Sequence, residues 1–177
     1  MRVAVVGTSG SGKSTFARRL AEARRIPFHE LDLINWRPGW VSRSAVEPEA
    51  FMADVDAATA LPEWTIAGGY SEVRPLIWSR ATHLVWLDLP RSLIVRQVIW
   101  RSLKRAASGR DVFPGCREDW ARLLSREHPI RWAWDTFARR KAQFSAMLAD
   151  PAYAHLAVIR STSRAEAEAA LARLSRG

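Results

Sequence analysis

The 177 residues are 48% hydrophobic and 25% charged, the balance of an ordinary globular chain and not of a disordered or fibrous one. A single cysteine, Cys116, rules out an intramolecular disulfide and any zinc site built from several thiolates, and no apolar run reaches the roughly 18 residues of a spanning helix. The formal charge of +9 rests on 27 basic residues, 24 of them arginine, and 13 of these bases against 5 acids lie between Arg91 and Lys141, so the excess is concentrated where it can attract phosphate groups.

The N-terminus enters directly into Val3, Ala4, Val5 and Val6 without a signal-peptide cleavage pattern, and the expectation is a cytoplasmic protein with no membrane partner. That apolar run, stopped by Gly7, reads as a buried parallel strand from Arg2 to Val6. From Lys13 the period changes: Phe16, Ala17, Leu20 and Ala21 share a face, predicting an amphipathic helix that ends before Pro27. Pro27 to Leu31 reads as a second strand, and Asp32 to Ser44 as irregular. A helix is expected from Glu47 to Leu61, a third strand from Trp64 to Ala67, and a fourth buried strand from His83 to Leu89. A helix from Arg91 to about Arg105 leads into a Gly- and Pro-broken stretch, Ser108 to Pro129, expected to be a flap. Ile130 to Leu148 carries a helical stripe, Leu156 to Ile159 a fifth strand, and Ser163 to Glu166 the spacing of a capping box before a last helix. Strands alternating with helices predict an α/β fold with a parallel sheet covered on both faces.

Gly7-Thr8-Ser9-Gly10-Ser11-Gly12-Lys13-Ser14 matches the phosphate-binding loop, or Walker A, pattern and falls between a predicted strand and a predicted helix, where its mechanism requires it. The glycines let successive backbone N–H groups turn inward toward phosphate oxygens, and the helix adds the positive end of its dipole. Gly7, Ser9, Gly10, Ser11, Gly12, Lys13, Ser14 and Thr15 are the expected ATP-binding residues, Lys13 reaching the β and γ phosphates and Ser14 offering its hydroxyl to Mg²⁺.

The acceptor side is less defined. Asp32, at the carboxyl edge of the sheet where ligands of such folds collect, is expected to bind Mg²⁺ or take a proton from an acceptor hydroxyl. Asp88, which follows an apolar run, is a second candidate for the metal. Gly68 and Gly69 would allow close approach of an acceptor, Arg74 would clamp an acceptor anion, and Trp36, with Trp40, would stack on a ring. Each also has a plain alternative: a turn carboxylate, an exposed helix arginine, loop packing. Arg101 and Arg105 before the flap, and Arg139 and Arg140 beyond it, are candidates to neutralise a transferring phosphoryl group, with Arg105 and Arg139 assigned the catalytic role alongside Lys13 and Asp32. His29, His83, His128 and Asp135 have no spacing that suggests a metal site or a triad.

With the phosphate loop, Asp32, the stretch from Trp36 to Trp40, Gly68-Gly69-Tyr70 and Trp86-Leu87-Asp88-Leu89-Pro90 taken together, the chain resembles a bacterial family of small P-loop kinases, the adenylate-kinase-like or DNA topology modulation proteins. The resemblance implies a P-loop NTPase fold like that of nucleoside monophosphate kinases: one domain over residues 1–177, with five parallel strands in the order 2-3-1-4-5. It also implies an acceptor-binding insertion around 33–62 and a lid around 106–128. Where that family usually has Asp-Gly-Asn-Tyr, this chain has Ala67-Gly68-Gly69-Tyr70.

The expected activity is transfer of a phosphoryl group from ATP, with Mg²⁺, to a small acceptor, by a monomer or homodimer. The alternative is a nucleic-acid-binding ATPase that uses the basic segment from Arg91 to Lys141; such binding would weaken steeply with salt.

Overall fold

Val3 and Val5 are buried against one layer of side chains and Ala4 and Val6 against another, which is what a central parallel strand requires. The computed structural model describes residues 1–109, 111–117 and 141–176. In chain order the elements are β1 (Arg2–Gly7), α1 (Lys13–Arg24), β2 (Phe28–Glu30), α2 (Leu31–Asn35), β3 (Trp36–Arg37), a 3-10 turn (Pro38–Trp40), β4 (Val41–Ser42), α3 (Arg43–Val46) and α4 (Pro48–Thr59). They continue with β5 (Trp64–Ala67), α5 (Arg74–Arg80), β6 (His83–Leu87), α6 (Arg91–Ser108), β7 (Asp111–Phe113) and β8 (Cys116–Arg117). Helical residues 141–148, a 3-10 turn (Pro151–Tyr153), β9 (Ala157–Ser161) and α7 (Arg164–Arg176) complete the chain.

Five strands form one parallel sheet in the order β2-β5-β1-β6-β9; numbered among themselves they stand 2-3-1-4-5, as expected. One face is covered by α1 and α7 through Phe16, Ala17, Leu20, Ala170, Leu171 and Leu174. The other is covered by α4, α5 and residues 141–148, through Phe51, Val55, Ile77, Trp78 and Phe144. Because β1 lies in the middle and its two sheet neighbours cross over to opposite sides, the loop after Gly7 emerges at a topological switch point, the place where open α/β sheets take their ligands.

The stretch from Asp32 to Ser44, expected to be irregular, contains α2, the β3–β4 hairpin and the start of α3. These elements are too short to show a period, and polar side chains hold them. Fully buried Asn35 accepts from the Ser44 N–H at 2.8 Å and donates to Ser42 Oγ at 3.2 Å. Arg43 donates to the Ile34 carbonyl at 3.2 Å and pairs with Asp54 at 2.5 Å and Glu47 at 3.3 Å. Helix α5 follows the third sheet strand where no element was expected, and α6 runs three residues past Arg105. Of the expected flap, residues 111–117 form a hairpin, and its remainder from 118 lies outside the described residues, as does the first part of the predicted helix from Ile130. No helix among the described residues is long and apolar enough to cross a membrane.

Candidate active site

Gly12, with φ 92°, turns the chain into α1, and no side chain caps the helix, nor does its first turn contain an acid. The first-turn N–H groups are thus left for an anion to satisfy. Gly10 has φ 85°, and a Cβ on it would run into the Val98 side chain of α6. Lys13 folds back over the loop, its Nζ donating to the Thr8 carbonyl at 3.1 Å. Ser11 Oγ is buried and has no hydrogen-bond partner among the described residues. Thr15 is exposed one residue past Ser14. Helix α6 braces the loop from outside: Arg101 Nη2 reaches Ser9 Oγ at 3.4 Å, and the Gln97 amide, oriented to suit both neighbours, donates to the Gly10 carbonyl and accepts from Arg164.

Ser14 meets a carboxylate that the sequence reading did not single out. Its Oγ donates to Glu30 Oε1 at 2.5 Å, and Glu30 Oε2 lies 3.7 Å from Arg18 Nη2. Glu30 ends β2 two residues before Asp32, so both acids leave the carboxyl edge of one strand; that shared edge was the available signal. Asp32 sits in the first turn of α2, and its Oδ1 accepts from the Tyr70 hydroxyl at 2.7 Å. Burial and the Asp32 charge both push the Tyr70 hydroxyl well above its ordinary value, so it remains a donor. Gly68, Gly69, Tyr70 and Arg74 line a cavity of about 10 Å³, room for one water. A larger acceptor enters only by moving side chains.

Arg74 is 7% exposed, and among the described residues no carboxylate pairs with it. It donates to the Gly69 carbonyl at 3.2 Å and to Met147 Sδ at 3.2 Å, its Nε is buried without a partner, and the guanidinium lies 5.6 Å from the Phe144 ring centre. Burial pushes its pKa down from the ordinary value. Arg43, equally buried, holds two carboxylates; among the described residues Arg74 is therefore the buried cation with donors left for an anion.

Asp88 is engaged by two cations. Its side chain is 4% exposed, and Oδ2 accepts from Arg160 Nε at 3.0 Å and Nη2 at 2.5 Å and pairs with Lys141 Nζ at 3.0 Å. Two cations already sit on that oxygen, so a metal at Asp88 would have to compete with Lys141 and Arg160. Arg105 lies on α6 one turn past Arg101, half-buried. Arg139 lies outside the described residues. Trp36 packs edge-on against Trp40 at 5.5 Å, and Trp40 gives its indole N–H to the Arg117 carbonyl at 2.9 Å. The indole N–H of Trp40 is thus engaged by the β7–β8 hairpin. A wider cleft, about 540 Å³, opens at the amino ends of β1, β6 and β9, and none of the predicted site residues lines it.

No family model matches the chain, and no curated protein matches its sequence. Solved structures do match its fold. Shikimate kinase from Acinetobacter baumannii in complex with shikimate is 19% identical with a TM-score of 0.58, the match covering 99% of this chain and 91% of that one. Shikimate kinase from Aquifex aeolicus is 16% identical with a TM-score of 0.55, covering 98% and 93%. A gluconokinase from Sinorhizobium meliloti is 18% identical with a TM-score of 0.51, covering 99% and 93%. The chain has the α/β fold of these small P-loop kinases.

Proposed function

We propose that the protein is an ATP- and Mg²⁺-dependent phosphotransferase whose acceptor is a small molecule bearing a hydroxyl and an anionic group. The observation that carries this reading is the loop from Gly7 to Ser14: an uncapped helix start, a left-handed Gly12, a Gly10 pressed on Val98 and a lysine folded across the turn. Such a cradle fits a triphosphate tail. The fold shared with shikimate kinases and a gluconokinase supports the same class. The resemblance to adenylate-kinase-like or topology modulation proteins supplies the expectation of one domain with an acceptor insertion around 33–62 and a lid around 106–128.

Ser9, Ser11 and Thr15 join the backbone in holding the donor, and Lys13 neutralises its β and γ phosphates. Ser14 and Glu30 would hold Mg²⁺, with Asp32 beside them; the ion would neutralise charge between the phosphates. In our reading Glu30 takes the place expected of Asp88. On the acceptor side Arg74 binds the anionic group, aided by Gly68 and Gly69, while Asp32 faces the hydroxyl. The acceptor oxygen attacks the γ phosphorus, its proton passes to Asp32, and the bond from γ phosphorus to the bridging oxygen breaks to release ADP. Tyr70 keeps Asp32 oriented. Arg101, against the loop, and Arg105 and Arg139 at the lid would offset charge on the transferring group.

The test is ADP release from MgATP with a panel of hydroxy acids, sugar acids and nucleoside monophosphates. At least one should raise release well above the rate with water alone. Release that stays at that background for every member, together with no measurable MgATP binding, would refute the proposal.

A further inference from the structure

The two small hairpins of the molecule meet each other. β3–β4 spans 36–42 and follows α2, which carries Asp32; β7–β8 spans 111–117 and follows α6, which braces the phosphate loop. Two-stranded hairpins this short are not stable alone in water. Here each is completed by the other, through turn atoms and not through a shared ladder. The Gly39 N–H donates to the Gly115 carbonyl at 2.9 Å, the Trp40 indole N–H to the Arg117 carbonyl at 2.9 Å, and the Cys116 thiol to the Arg37 carbonyl at 3.0 Å. Trp40 also meets Phe113 edge-on at 6.0 Å, and Cys116 is fully buried.

The backbone is shaped for this meeting. Trp40 has φ 64°, a left-handed conformation that a bulky residue adopts only when its surroundings enforce it. At Gly115, with φ 71°, a Cβ would stand 2.7 Å from Pro38 Cβ, so the approach requires glycine.

We infer that these hairpins form a latch between the two halves of the active site and that Trp40 is its positioning residue, so that β7–β8 docks only against a correctly placed β3–β4. The consequence for transfer rests on the phosphotransferase reading; the latch itself does not. A continuous path then runs from the phosphate loop through α6 and β7–β8 to β3–β4 and α2, so nucleotide at one end stabilises the arrangement of Asp32 at the other. Binding that favours the closed latch must, by linkage, be favoured by it.

Cys116 is the one cysteine of the chain, and its burial makes it a reporter of opening. The experiment follows its reaction with a disulfide-exchange reagent in the native full-length protein, alone and with Mg²⁺ and a non-hydrolysable ATP analogue. Wild type should react far more slowly than the urea-unfolded chain, and the analogue should slow it further. Trp40→Phe, which keeps a ring and loses the indole N–H, should speed labelling about three- to tenfold, the weight of one net hydrogen bond; Gly115→Ala should speed it more. In both variants the analogue should still bind, with unchanged circular dichroism and melting, yet give less protection than in wild type. A merely structural role would leave that protection intact. Equal labelling of wild type and both folded variants, or undiminished protection in them, overturns the latch. Failure of the analogue to bind wild type would instead strike the phosphotransferase reading, while the ligand-free rates decide the latch alone.

Discussion

At the proposed donor end of the sheet the surface is mostly backbone: the turn after Gly7 offers N–H groups of an uncapped helix, with Lys13 folded over the turn and Ser14 held by Glu30. At the proposed acceptor end it is side chain: Asp32 tied to Tyr70, and Arg74 lodged between aromatic rings with no carboxylate partner among the described residues. A backbone cradle is defined by a few glycines and survives many changes around it. A side-chain pocket depends on every neighbour that orients it, and one buried charge can alter what it accepts.

Lys13→Ala is the strongest way to break this contrast. If the cradle is a phosphate site, removing its one flexible cation should lower turnover about 100- to 1000-fold, as loss of a preorganised charge-stabilising group does. A single pair at about 4 Å is worth roughly 4 kcal/mol at an effective dielectric near 20. The fold should persist, because Lys13 is only half-buried. ADP release and nucleotide titration read the outcome; unchanged values would mean that the loop binds no phosphate.

Arg74→Met should act on the other end only. Acceptor affinity should fall about tenfold or more, the weight of hydrogen bonds to a charged group, while nucleotide binding stays as in wild type. Melting should hold or rise, since the substitution removes a buried cation with no paired carboxylate among the described residues. Arg43→Met provides the counter-case: it strips Asp54 and Glu47 of their partner and should lower the melting temperature. If Arg74→Met melts as low as Arg43→Met, Arg74 is a structural residue and the acceptor reading loses its anion clamp.

The same division governs what could be read from the residues alone. Gly7, Gly10, Gly12, Lys13 and Ser14 declare a mechanism through spacing, because backbone geometry needs particular residues at particular steps. The strands were legible for a related reason: parallel strands buried on both faces are continuous apolar runs, as in Val3 to Val6 and Leu84 to Leu87. Glu30 was not legible as Ser14's partner, because the contact depends on how β2 is placed two strands from β1. Asp88 is expected from sequence as a metal ligand, and the cations Lys141 and Arg160 on its Oδ2 are visible only in the fold. The short elements between Asp32 and Val46 escaped for want of length: a five-residue helix and two-residue strands have no period to detect, and Asn35 and Arg43 hold them through side-chain contacts that follow no helical or strand repeat. Spacing singles out Trp40 as a ring, but not that its indole N–H reaches a carbonyl 77 residues away.

The smallest effect separates the two ends by acidity. His29 lies in β2, the three-residue strand at the acceptor-side edge of the sheet, with Nε2 buried and lacking a hydrogen-bond partner among the described residues. Burial lowers its pKa below the ordinary 6.5. The unfolded chain therefore takes up the proton first as pH falls, and the stability contributed by a neutral His29 is complete above the unfolded value and declines as pH drops from there through the folded one. His83, at the start of β6, shifts the same way, through burial and the nearby N-terminal ammonium and Arg173. His29→Gln should thus flatten, without abolishing, the fall in melting temperature between neutral pH and about pH 5, the window set by the ordinary histidine value. Because His29 Nε2 is buried in β2, acid should lower the protection of β2 amides, taken relative to their intrinsic exchange rates at each pH, before it does so in β1. Equal protection in the two strands at every pH, or an unaltered slope in the variant, would show that the acceptor edge is no softer than the donor edge.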